Sequence, residues 1–257
     1  MNRYSYCVNN PLTYTDPCGN IVNFQNEDLA MQYLTWSTDY GCNLDQNTWA
    51  IIHDWADLRC AWYTLGTVAP ELTGYIANAP ETVTIGWGNL DHGVGNTTQA
   101  SDWNFTGNLN MTLSNSLKDS NSDILTSVMG HEGFHAAMHI GQVQSWQQST
   151  VANEAFAYSF GYHVSQALGV NDDLFGASSL SYYFKDISPF NDVGTLNTQI
   201  NKDTQTVLWN NGYRTVRGSA GSGGSVSPLG LWPGFNFWFI HSGRDSFLTV
   251  AKAVWIK

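Results

Sequence analysis

Gly130-His131-Glu132-Gly133-Phe134-His135 is the stretch on which the reading of this chain turns. Before it stand Ile124, Leu125, Val128 and Met129, and after it come Ala136-Ala137-Met138-His139-Ile140 and then Gly141. The apolar residues recur at three- and four-residue steps, which predicts a helix. Ser120-Asn121-Ser122-Asp123 offers the capping side chains that start one, and Gly141 is the stop. On that helix His131 and His135 stand at i and i+4, one turn apart on the same face. Two imidazoles so placed can reach one metal ion, and Glu132 sits beside them.

A metal held by protein in a hydrolytic site commonly has three side-chain ligands, so a third must come from elsewhere. His139 is the nearest histidine, but on a straight helix it lies about 12 Å along the axis from His131, too far for one ion to bridge. Glu154, nineteen residues after His135, is the better partner. A second helix is expected from about Thr150 to Leu168, closed by Gly169. The roughly ten residues from Gly141 to Thr150 let it fold back antiparallel, so that a carboxylate early in it points at the two histidines.

This His-Glu-x-x-His with a downstream helical glutamate resembles the gluzincin metallopeptidases over about residues 123–165. The resemblance implies His131, His135 and Glu154 as ligands of Zn2+ and Glu132 as the catalytic base acting on a zinc-activated water. Tyr158 and His163, on the second helix, are the further catalytic candidates. Tyr162, His92 and His241 are other groups able to donate to an oxyanion.

The flanks are less regular. Residues 26–38 and 46–64 read as helices, the second with Trp49, Ile52, Trp55, Ala56, Cys60 and Tyr63 on its apolar positions. His53 within it is read as structural. Thr82 to Trp87 and Asn108 to Ser114 alternate polar and apolar, as half-buried strands do. They are expected to form a small antiparallel sheet beside the metal helix, with substrate lying extended along the edge near 108–113. A short helix is expected near 201–211. Residues 218–225, all Gly, Ser and Ala, read as a linker. The last 32 residues, 226–257, carry an aromatic run from Leu231 to Ile240 and have no assigned role.

The first nineteen residues carry a different signal. Asn9-Asn10-Pro11 and Asp16-Pro17-Cys18-Gly19 are turn chemistry. The segment resembles the end of the Rhs/YD-repeat core of bacterial polymorphic toxins, where Asn-Asn-Pro leads into Pro-x4-Asp-Pro-x-Gly ahead of a variable toxin. Pro11, Asp16, Pro17 and Gly19 match; the large apolar residue that usually follows the glycine is here Asn20. The resemblance implies that residues 20–217 are a toxin payload, exported from a bacterium and delivered into a target cell. It also implies two partners, the Rhs core shell with its secretion machinery and a cognate immunity protein, while the metallopeptidase resemblance implies a protein substrate in the target cell.

Composition bounds the alternatives. At 257 residues, with 42% hydrophobic and 12% charged, the chain is globular. Its formal net charge is −11, and Lys118 is the only Lys or Arg between Arg59 and Lys185. That disfavours nucleic acid and anionic membranes as partners. No apolar run of membrane-spanning length is present. Cys7, Cys18, Cys42 and Cys60 form no Cys-x-x-Cys pair, and their spacing fixes no disulfide. The expectation is therefore an α+β, mainly helical, zincin-like metalloprotease domain acting on peptide bonds. The alternatives are a zinc amidase acting on cell wall or a small amide, and a non-enzymatic binding toxin with a structural metal.

Overall fold

The computed structural model describes residues 22–91, 93–99, 108–141, 150–192, 204–211 and 244–256. The Pro11-to-Gly19 motif, Asn20, His92, residues 218–225 and His241 lie outside them. The order of elements is β1 (Val22–Phe24), α1 (Glu27–Tyr40), α2 (Gln46–Val68), α3 (Pro70–Ala77), β2 (Val83–Gly88), β3 (Gly95–Gln99), β4 (Leu109–Ser114), α4 (Ser122–Ile140), α5 (Thr150–Ala167), α6 (Leu180–Tyr183), α7 (Thr204–Asn210) and α8 (Arg244–Val254). The architecture is α+β.

Local chemistry sets the helix ends. The Asp45 carboxylate accepts from the Thr48 amide at 2.8 Å and caps α2. That helix ends before Pro70, whose ring disfavours a helical residue ahead of it but suits the first position of α3. Asn121 caps α4 through the Asp123 amide at 3.0 Å. Past the end of α5, Gly169 takes the left-handed conformation (φ 69°), while the Val170 amide reaches back to the Ser165 carbonyl at 2.8 Å.

The sheet is mixed, in the order β1-β2-β4-β3. Strands 83–88 and 109–114 are where the sequence places them, but they pair parallel, Val83 with Leu109 through Gly88 with Ser114, and not antiparallel as expected. The reason is β3, which lies between them in sequence and pairs antiparallel with β4 at the sheet's edge. Two reversals return the chain to its original direction. The strand Gly95-Asn96-Thr97-Thr98-Gln99 carries no apolar residue, so nothing in its pattern announces it. β4 is therefore an interior strand, paired on both sides, and the expected substrate edge at 108–113 is not an edge. β3 is.

Helix α4 is packed by α2 and α3, by α5, by β3 and β4, and by α8. Nearly all of it from Leu125 to Met138 is buried, which is why its polar residues stand out. Small residues let its neighbours close in. A Cβ at Gly130 would fall 2.9 Å from Val164 Cγ2 of α5, and one at Gly161 would fall 3.3 Å from His131 Cβ. On the far side Phe134 is ringed by aromatics: Phe160 at 5.7 Å, Trp255 at 5.9 Å, and Phe156 and Phe247 each at 6.3 Å between centroids. Trp255 and Phe247 come from the chain's last segment, so the described part of that tail belongs to the core. Phe134→Ala is expected to lower the unfolding free energy by about 3–5 kcal/mol, read by denaturant or thermal unfolding.

Cys60 is disulfide-bonded and Cys42 is free and exposed, so the four cysteines do not form two bridges. No described helix is long and apolar enough to cross a membrane.

Candidate metal centre

The antiparallel pair α4 and α5 brings His131, His135 and Glu154 together, their ligand atoms all within 4.8 Å of one another. His131 Nε2 and His135 Nε2 are 3.1 Å apart, and each lies 3.6 Å from Glu154 Oε2. Ligand atoms placed tetrahedrally around an ion at roughly 2.0–2.1 Å are themselves separated by about 3.4 Å. The triangle therefore has the size of one face of such a site. Two imidazoles and a carboxylate are also a donor set suited to a divalent transition metal. The side chains are 14%, 11% and 19% exposed, so the trio is sheltered without being fully buried.

The three groups are coupled electrostatically. Burial works to lower the His135 pKa, but the Glu154 carboxylate, then Glu132 and Asn153, outweigh it and raise it to about 9. Burial likewise works to raise Glu154, and the two histidines outweigh it, holding this carboxyl well below its usual range. His135 and Glu154 thus each favour the charged form of the other.

Glu132 is 4% exposed, with Oε1 4.0 Å from His131 Nε2. Its other oxygen, Oε2, accepts from the Thr97 hydroxyl at 2.8 Å. Gly95 lies against the same carboxylate: a Cβ there would fall 2.5 Å from Oε1. Both residues belong to β3, and the sequence reading passed over them because that strand has no apolar alternation. Asn153, buried beside Glu154 and in hydrogen-bond contact with His135, was also passed over. Its place directly before a suspected ligand is the signal that was there to use.

The other candidates separate. The Tyr158 ring lies edge-on to His131 at 4.5 Å between centroids and also meets Phe184 at 6.0 Å, so it is at the trio. His163 is not. Nine residues beyond Glu154, it has turned about 180° around α5 at 100° per residue. Its ring packs against Tyr162 and Trp255, and burial lowers its pKa. The Tyr162 ring meets those of His163 and Tyr182. His139 is half-buried and outside the trio, its pKa pushed down to about 4 by burial and then by His135. His53 sits against Trp49 on α2, at 6.1 Å between ring centroids. No protein-family model matches the chain, and no curated protein or solved structure matches it either.

Proposed function

We propose that this domain is a zinc-dependent metalloprotease, of zincin-like fold, made as the payload of an Rhs-type polymorphic toxin. One observation carries the hydrolase reading. Three ligand atoms form a triangle of metal-site size, and a separate buried carboxylate, Glu132, stands beside it without belonging to it.

Zinc, when bound by His131, His135 and Glu154, supplies a Lewis acid that acidifies water and polarises a carbonyl. The chain's own residues do the rest. Glu132 takes the proton of the attacking water on Oε1, the oxygen facing the trio, and returns it to the leaving amine. Tyr158 is the candidate donor to the developing oxyanion, supported by its contact with His131. His163 has no part in this reading, since it lies on the opposite face of its helix. An extended peptide can add to the outer edge of β3, the strand that abuts Glu132. A peptide so bound would bring its scissile bond near the base.

The Pro11, Asp16, Pro17 and Gly19 motif supports delivery as toxin cargo, with a core shell, secretion machinery and an immunity protein as partners. The net charge of −11 speaks against nucleic acid as the substrate. To test the reading, purified domain is incubated with a denatured protein and, separately, with cell-wall fragments. New N-termini are expected in the protein only, abolished by a chelator and restored by zinc. Release from cell wall alone would replace the protease with an amidase, and a protein without bound metal would overturn both.

A further inference from the structure

We propose that Thr97, with Gly95 clearing the space, is the positioning residue that fixes Glu132 for proton transfer. This deepens the reading of Glu132 as the base and rests on it. Glu132 lies on a helix that is buried almost all round, and its carboxylate needs a polar partner to stay there charged. The partner comes from the sheet. The Thr97 hydroxyl has one hydrogen and two acceptors within reach, Glu132 Oε2 at 2.8 Å and the Glu132 main-chain oxygen at 3.1 Å. The nearer acceptor is the carboxylate, the better acceptor of the two.

That bond ties up one carboxylate oxygen and leaves Oε1 on the side of His131. Gly95 completes the arrangement by having no side chain. A Cβ there would lie 2.5 Å from Oε1, 2.6 Å from Cγ and 2.8 Å from Cδ, so any larger residue drives the carboxylate out of place. Thr97 and Gly95 are two apart in one strand and share a face of it. Thr97 is held in register by pairing with Met111 of β4. The strand offered to substrate is thus the one that aims the base, and neither residue is a member of the His131, His135 and Glu154 group.

The test uses Thr97→Val, Thr97→Ser, Gly95→Ala and Glu132→Gln in the full chain, each loaded with zinc. Metal content, kcat and KM on a denatured labelled protein, and the crystal structure of each are measured. For Thr97→Val the expectation is full zinc, KM within about twofold and kcat down by about ten- to a hundredfold, the range for a lost hydrogen bond to a charged group. Its crystal structure should show the Glu132 carboxylate turned from the trio or split between positions. Thr97→Ser, which keeps the hydroxyl, is expected to restore both readouts; Gly95→Ala is expected to reproduce the loss.

Should Thr97→Val not fold, Thr97→Ala takes its place with the same readouts. A valine or alanine variant with wild-type kcat and an unmoved Glu132, in a protein that Glu132→Gln inactivates, overturns the assignment. If Glu132→Gln itself retains full activity, the base reading has failed, while the carboxylate's position in the Thr97 variants still decides whether Thr97 holds it.

Discussion

Glu132→Gln is expected to bind zinc as the unaltered protein does and to lose peptide-bond cleavage by roughly a thousandfold, within the range of 10²–10⁴ that a positioned base contributes. The structure explains why the two effects should separate. The triangle of ligand atoms is made by His131, His135 and Glu154, and Glu132 is not one of its corners. Glutamine has the same shape, so it fits between Gly95 and the trio, and its amide oxygen can still accept from Thr97. What it cannot do is take up a proton. Metal content by atomic absorption, cleavage rate, and toxicity on expression in a susceptible cell read the three consequences. A variant that keeps full toxicity would remove the catalytic reading and leave a metal-stabilised binding toxin in its place.

The same stretch shows how far a sequence carries such an argument. The metal helix was legible because its signals are local. Asn121 caps it, the two histidines are one turn apart, and Gly141 ends it. Glu154 was legible because a short connection between helices leaves little freedom but to run antiparallel. That His163 stands apart from Glu154 on α5 follows from the helical period, since nine residues bring a side chain round to the opposite face.

β3 was not legible by any local rule. Gly-Asn-Thr-Thr-Gln has no apolar period, and its place is set by the backbone ladder to β4, a partner ten and more residues away. Missing it reversed the expected pairing of β2 and β4, and hid the two residues that touch Glu132. The last helix is a different case. Phe247, Val250, Ala251 and Val254 recur at helical steps and are buried, but the denser aromatic run before them drew the reading away.

Glu154→Ala is expected to weaken zinc binding by well over about a hundredfold, more than the 10–100-fold typical of losing a residue that only supports a ligand. His139→Ala is expected to leave binding within a fewfold of the unaltered protein. The comparison is sharp because the sequence alone offers both residues as third ligand. Glu154 Oε2 is 3.6 Å from each histidine nitrogen, whereas His139 stands one turn beyond His135 and outside the group. With a pKa pushed down to about 4, His139 is neutral at ordinary pH, so replacing it removes no charge. Thermal unfolding with and without zinc reads the difference, because a ligand at a hundred times its Kd adds about 2.7 kcal/mol of stability. The unaltered protein and His139→Ala should both shift upward on adding zinc, and Glu154→Ala should not. The reverse pattern would require α4 to break its helix between His135 and His139, and the triangle of 3.1, 3.6 and 3.6 Å would then not be the metal site.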